Sequence, residues 1–295
     1  MLKLLSWLMA ACLLTGPLYA GAVTVLDDAH QPVEIRSSVR RVVSLLPSLT
    51  ETVCALGACD RLVGVDRYSN WPASVQALPK LGGGLDPSIE AVVAQRPDLV
   101  LMASSTRGAD RLQALGLTVL RLEPRTRADV ERVLLTIASA LGLPKATAQK
   151  TWQDLQRGVD QAVARLTPQA RAQWVYVEVS PAPYGASESS FIGENLMRMG
   201  VSNILPAALG PFPKVNPEFV VRAQPDAIIA GDSSRQSMLL RPGWPQLKAL
   251  REDRVCVFPQ EQADVLVRAG PRMAEGARLI VDCLNRTAAN VGKER

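Results

Sequence analysis

The chain has 295 residues, 47% of them hydrophobic, enough to bury the cores of two ordinary domains and too many for a disordered segment. Its net charge of +5 is mild, with lysines and arginines scattered among acids. That excludes the basic stripe of a nucleic-acid binder.

Met1-Leu2-Lys3 supplies one positive charge, Leu4–Leu14 is apolar except for Ser6, and Gly16-Pro17 precedes Ala20-Gly21-Ala22. This is the order of a secretory leader, with cleavage near Ala20 or Ala22. The apolar run is shorter than the roughly 18 residues of a membrane span. Cys12 follows an imperfect lipoprotein triplet, Met9-Ala10-Ala11, and apolar residues continue beyond it. Residues 1–22 are therefore expected to be a signal peptide and the mature protein to be exported. Export leaves Cys54, Cys59, Cys256 and Cys283 in an oxidising compartment. Pairing Cys54 with Cys59 and Cys256 with Cys283 would keep each bridge within one half of the chain; buried thiols are the alternative.

Val23–Ile35 reads as a hairpin around the polar turn Asp27–Gln31, and Arg41–Leu46 as a short buried strand. Ser48, with Glu51 three residues on, predicts a capping box, and Gly57 ends that helix. Leu62–Val65 is a second strand, followed by the loop Asp66–Pro72. Leu85–Leu101 (L-D-P-S-I-E-A-V-V-A-Q-R-P-D-L-V-L) then recurs about 130 residues later as Val215–Ile229 (V-N-P-E-F-V-V-R-A-Q-P-D-A-I-I). Each copy opens on a cap and proline, Asp86-Pro87 or Asn216-Pro217, runs as a short apolar helix to Pro-Asp, and continues into a β-rich run. Two copies predict two related lobes with a cleft between them. Strands alternating with helices (Asp98–Met102, Asp110–Leu115, Thr118–Leu122) predict a parallel sheet covered by helices.

Lys145–Leu166 places Trp152, Leu155, Val159, Ala162, Val163 and Leu166 at three- and four-residue spacing, one buried stripe on a helix of about six turns. The connection between the lobes is then this helix, stiffer than a coil, and wide hinge motion is not expected. The expected organisation is α/β: a first lobe over 23–144, the helix over 145–166, and a second lobe over 167–295. In that second lobe Trp174–Val179, Asp226–Ala230 and Val255–Phe258 read as strands. Pro181–Ser190 reads as a loop, and Ile192–Met199 and Pro271–Leu284 as helices.

His30 is the sole histidine and sits in the first turn, which argues against histidine-based catalysis and most zinc sites. Gly185–Ser189 lacks the closing glycine of a nucleophile elbow, and no G-K-[ST] follows Gly82-Gly83-Gly84. Binding is therefore favoured over catalysis, and no cofactor or resident metal is expected. Aromatic residues are sparse, yet Tyr68 and Trp71 (Y-S-N-W-P), Tyr184 (P-A-P-Y-G) and Phe212 (P-F-P) all fall in loops expected at the mouth between lobes, where open α/β sheets bind ligands. Burying roughly 400 Å² of apolar surface yields about 10 kcal/mol gross, against an association cost of about 4–15 kcal/mol. Several aromatics acting together would hold a bulky ligand; one would not. Asp264, in Q-A-D-V-L, would add a polar contact. Glu90 and Glu218 each stand seven residues before their Pro-Asp, although counted from the caps they are offset by two. Matching acids on matching helices suit a two-fold symmetric partner.

Through Arg41–Glu51 (R-V-V-S-L-L-P-S-L-T-E), A-L-G and V-G-V-D within Ala55–Asp66, and the two E…P-D repeats, the mature chain resembles the substrate-binding proteins with a rigid helical backbone. That family serves bacterial importers of cobalamin, haem and ferric siderophores. The resemblance implies a periplasmic monomer of two Rossmann-like lobes flanking one long helix, with the ligand between them. Glu90 and Glu218 match the family's two glutamates that engage arginines of the inner-membrane permease dimer. Y-S-N-W-P and P-F-P-K-V resemble the Y-S-D-Y-P and P-W-P-Q-V of cobalamin-binding members, whose contacting aspartate and aromatic fall at Asp264 and Tyr184. The implied ligand is cobalamin, with haem or a ferric siderophore as alternatives; Arg67, Arg268 and Arg272 would serve a siderophore. Two departures stand out. Gly82-Gly83-Gly84 replaces a tryptophan-bearing region, and Met199 stands where a cysteine often bridges to the position of Cys283.

Overall fold

The computed structural model describes residues 21–36 and 39–290. The expected leader, apart from Gly21 and Ala22, lies outside the described residues. Strands β1 (Val23–Leu26) and β2 (Pro32–Ile35) form an antiparallel hairpin. Asp27 closes its turn, Oδ1 accepting from the N–H groups of Ala29 and Gln31, both at 2.9 Å. His30 is exposed there at φ +58°.

The first lobe is a four-stranded parallel sheet in the order β4-β3-β5-β6: β3 (Val42–Ser44), β4 (Leu62–Val65), β5 (Leu99–Met102) and β6 (Val119–Arg121). The inner strands β3 and β5 are buried at every position, as parallel strands covered on both faces require. The second lobe orders β11-β10-β7-β8, with β9 beside β7: β7 (Trp174–Ser180), β8 (Tyr184–Gly185), β9 (Ser202–Asn203), β10 (Ala227–Gly231) and β11 (Val255–Phe258). All its pairings are parallel except the short β8 on β7.

The helix after β3 departs from its expected start. It spans Pro47–Ala55 with Leu46 at the N-cap, and Pro47, whose missing N–H costs nothing there, takes the first helical position. Ser48 lies inside the helix and Glu51 forms no capping box. Its end is as expected: Gly57 adopts φ +79°, Gly57 N–H donates to Cys54 O (3.0 Å) and Ala58 N–H to Val53 O (3.1 Å), the Schellman pattern.

The repeats fold alike, and more alike than their sequences. Ser88, not Asp86, caps the first helix (Ile89–Ala94), its Oγ accepting from Ala91 N–H. Asn216 caps the second (Pro217–Ala223), accepting from Glu218 N–H. With Ser88 as cap, Glu90 and Glu218 both occupy the second helical position, and the two-residue offset disappears. Each helix unwinds through a left-handed residue, Arg96 at φ +47° and Gln224 at +46°. Each Pro-Asp then clips the helix exit to the lobe's first strand. Asp98 Oδ2 accepts from the N–H groups of Arg40 (2.8 Å) and Arg41 (2.9 Å), and Asp226 Oδ2 accepts from Trp174 N–H (2.9 Å).

The connecting helix runs Lys145–Val163 rather than to Leu166, because Thr167 already caps the next turn with Pro168 behind it. It packs against Arg127–Ala140 of the first lobe and Met273–Asn290 of the second, the latter longer than the expected Pro271–Leu284. Val159 and Ala162 belong to a single apolar core containing Leu49 and Leu101 of the first lobe as well as Val177, Ile229 and Leu284 of the second. Two lobes thus share one core. At their junction Phe191 N–H donates to Arg125 O (2.8 Å), and Arg127 N–H to Glu194 Oε2 (2.6 Å). The structure also bonds Cys54 to Cys59 and Cys256 to Cys283.

Candidate functional site

The loop after β4 carries Tyr68 and Trp71, and its own lobe fixes its base. Asp66, wholly buried, accepts from Tyr68 N–H (2.8 Å) and Ser69 Oγ (2.5 Å). Thr50 Oγ1 bonds Ser69 Oγ (2.9 Å), and Lys80 Nζ donates to Ser69 O (2.7 Å). Burial pushes the Asp66 carboxyl above its ordinary range, the hydrogen bond from Ser69 opposing only in part. Burial likewise lowers the Lys80 ammonium, which the charge of Asp66 partly restores.

The tip of the loop is held from the other lobe. Arg268 follows the helix Gln260–Val267 and is 8% exposed. Its Nη1 donates to Glu51 Oε1 (2.8 Å) and Asn70 Oδ1 (2.8 Å); its Nη2 donates to Tyr68 O (3.0 Å) and Asp264 Oδ2 (2.7 Å). Asn70 Nδ2 reaches the same Asp264 oxygen at 3.0 Å, and Gln260 Nε2 donates to Asp264 Oδ1 at 2.7 Å. Arg272 pairs with Glu275 (2.9 Å) and lies over the Trp71 ring at 4.9 Å. Glu51 is buried with one oxygen, Oε2, lacking a partner. Burial raises its carboxyl above the ordinary value, against the hydrogen bond and charge of Arg268 and the charge of Arg272. Between the lobes opens a cavity of about 280 Å³ lined by Asn70, Trp71, Ala73, Gln76, Glu261 and Arg272.

Tyr184 and Phe212 form a second group. Gly185 N–H donates to Pro213 O (3.0 Å) and Val215 N–H to Pro183 O (2.8 Å), laying P-F-P along the Tyr184 segment. Tyr184 is exposed, whereas Phe212 is half-buried against Phe191, centroids 6.1 Å apart. The segment is anchored beneath by Arg241, which bonds both oxygens of buried Glu178 (2.5 and 2.9 Å) and Pro181 O (3.0 Å). Tyr176 OH adds a bond to Glu178 at 3.2 Å; burial first, then the Glu178 charge, push that phenol far above its ordinary value.

The structure therefore joins Asp264 to the Tyr68–Trp71 loop and Tyr184 to the Phe212 segment, as two separate groups; of these five residues Trp71 alone lines the interlobe cavity. Tyr68 (60% exposed), Trp71 (38%) and Tyr184 (41%) present open ring surface. Asp264 is mostly occupied by Arg268, Asn70 and Gln260. Glu90 and Glu218 are both exposed on the surface, and Glu90 carries an exposed ion pair with Arg111 at 3.1 Å. Sequence reading missed Glu51 and Asn70 as cross-lobe partners, and Glu178 with Arg241. The usable signal was Asp264 and Arg268 four apart, one helical turn. A larger groove of about 690 Å³ lies between the hairpin and the helix Arg127–Ala140, but Asp27, Asp28, Glu123 and Asp129 there are each already paired with an arginine.

The profile of the family described as periplasmic binding protein matches residues 42–262. The chain is 27% identical over 291 residues to the vitamin B12-binding protein of Pectobacterium carotovorum subsp. carotovorum, covering 95% of this chain and 96% of that one. It is 29% identical over 273 residues to YvrC of Bacillus subtilis, named an uncharacterized ABC transporter substrate-binding lipoprotein, with 89% and 85% covered. Among solved structures, the periplasmic heme-binding protein RhuT from Roseiflexus sp. RS-1 matches with TM-score 0.71 at 22% identity, over 85% of this chain and all of that one. This last likeness carries the fold alone.

Proposed function

We propose, since the chain belongs to the periplasmic binding protein family, that it is an exported receptor delivering a bulky corrinoid of the cobalamin type to an ATP-driven importer. The observation that carries the ligand class is the charge state of the cleft. Arg268 and Arg272, the cations an anionic ligand would use, are already compensated by Glu51, Asp264 and Glu275. What remains open is aromatic surface at Tyr68, Trp71 and Tyr184. A large, near-neutral molecule with apolar faces fits this combination; a dianion does not. The relatives named vitamin B12-binding protein support the same reading. Glu90 and Glu218, at matching helical positions on the two lobes, would meet arginines of a two-fold permease.

Haem or a ferric siderophore is the second reading, favoured by the exposed phenols of Tyr68 and Tyr184, which can ligate ferric iron, and by the half-exposed Arg67. Calorimetric titration of the mature protein with cyanocobalamin, haem and a ferric siderophore in parallel decides between them. One-to-one cyanocobalamin binding, weakened about tenfold or more by Trp71→Ala, a loss of about 1.4 kcal/mol, is the expected result. Heat with an iron ligand and none with cyanocobalamin would overturn the corrinoid assignment.

A further inference from the structure

The loop that carries Tyr68 and Trp71 has two anchors of different origin. Its base is tied within the first lobe through Asp66, Ser69 and Thr50. Its tip is tied to the second lobe: of the four acceptors that Arg268 satisfies, Glu51 Oε1, Asn70 Oδ1 and Tyr68 O belong to the first lobe and only Asp264 Oδ2 to its own lobe. Asn70 returns a bond to Asp264, and Arg272, four residues on, covers one face of Trp71. Charge-assisted bonds in a buried setting are the strong ones, and the planar five-donor guanidinium can serve acceptors on three sides at once, which an ammonium cannot. The approach is close here as well: a Cβ at Gly270 would touch Ser48 at 3.5 Å.

We propose that Arg268 is the positioning residue of the cleft: from the second lobe it fixes the tip of the first-lobe loop 66–72, so that Tyr68 and Trp71 are set for the ligand before it arrives. The ligand side of this statement rests on the receptor reading above; the cross-lobe anchoring does not. Arg268 acts here through the loop. Its guanidinium is spent on protein acceptors, so its effect on affinity is through the order of the aromatic rim. Pre-ordering of that kind lowers the cost of binding by removing loop freedom beforehand.

The test separates anchoring from fold stability. Arg268→Met alone strands the buried Glu51 carboxylate and destabilises the protein, which says nothing about positioning. Arg268→Met with Glu51→Met removes the stranded charge and leaves an apolar contact, with Asp264 still held by Asn70 and Gln260, so the fold recovers while Tyr68 O loses its anchor and Asn70 keeps only its bond to Asp264. Three readouts apply to the mature double variant: its melting temperature, amide exchange across residues 66–76, and the fluorine resonance of Trp71 in protein labelled with 5-fluorotryptophan, assigned through Trp71→Phe. The expected result is a melting temperature near wild type, exchange in 66–76 faster by about tenfold or more while the β-strands stay protected, a shifted or broadened Trp71 resonance, and cyanocobalamin affinity down by about tenfold. Unchanged exchange and an unchanged Trp71 resonance in the double variant would overturn the proposal. If the loop loosens but neither wild type nor variant binds cyanocobalamin, haem or a ferric siderophore, the anchoring stands and the receptor reading falls.

Discussion

Arg241→Met tests the account of the second-lobe floor most directly. Glu178 has no exposed side-chain surface and Arg241 only 10%, so the pair is screened little by solvent. Removing the guanidinium takes two bonds from the carboxylate at once and leaves it the Tyr176 hydroxyl at 3.2 Å. Breaking one side of such a buried pair costs about 3–5 kcal/mol, because an uncompensated charge remains. At about 2–4 °C per kcal/mol for a protein approaching this size, scanning calorimetry of the mature protein is expected to show a melting point lower by roughly 6–20 °C. Glu178→Met added to Arg241→Met removes the stranded charge and recovers most of the loss. The anchor to Pro181 stays lost in both variants, so the Tyr184 segment is loosened even where stability returns. A single variant within about 1 kcal/mol of wild type, or a double variant no more stable than the single, refutes the reasoning.

Two further outcomes are expected. Glu90→Ala with Glu218→Ala leaves ligand affinity within about twofold of wild type, because both are exposed and neither lines the interlobe cavity, yet abolishes uptake in whole cells; equal uptake by variant and wild type rules out the docking role. Burial raises the Glu51 carboxyl above 4.5, so just above that pH the native state holds a proton the unfolded chain has released, and this group's contribution to stability falls as pH rises through the window. Glu51→Gln should make the slope of melting temperature against pH less negative there, and an unchanged slope counts against a raised carboxyl.

The elements legible in the sequence are those whose cause is local. The V-V-S and L-V-L-M strands announce burial on both faces, and Gly57 announces a left-handed helix end. Where two local causes compete the reading slips. Asp86 and Ser88 are both competent caps two residues apart, and only the folded chain gives Asp86 to Arg67 at 3.4 Å and leaves Ser88 the helix. The helix Asp232–Leu240 went unseen because only Ser234 and Met238 are buried along it, which leaves no apolar stripe to read. Glu51 is the instructive miss. A glutamate three residues after a serine is what a capping box looks like, while its actual partner, Arg268, is 217 residues away. The exposure of Tyr68, Trp71 and Tyr184 followed from the turn-rich segments that carry them, but that one arginine stands between the two lobes did not, since nothing local distinguishes a guanidinium bound by its neighbours from one open to a ligand.

The single core running through both lobes and the helix between them has a consequence for traffic at the membrane. A frame held together by that core is expected to keep Glu90 and Glu218 at nearly the same separation with the cleft full or empty. On the docking reading, an importer that recognises only these two carboxylates meets loaded and unloaded receptors as the same surface. Unloaded copies then compete for the same landing place, and the rate of import follows the fraction of receptors carrying cargo rather than their number.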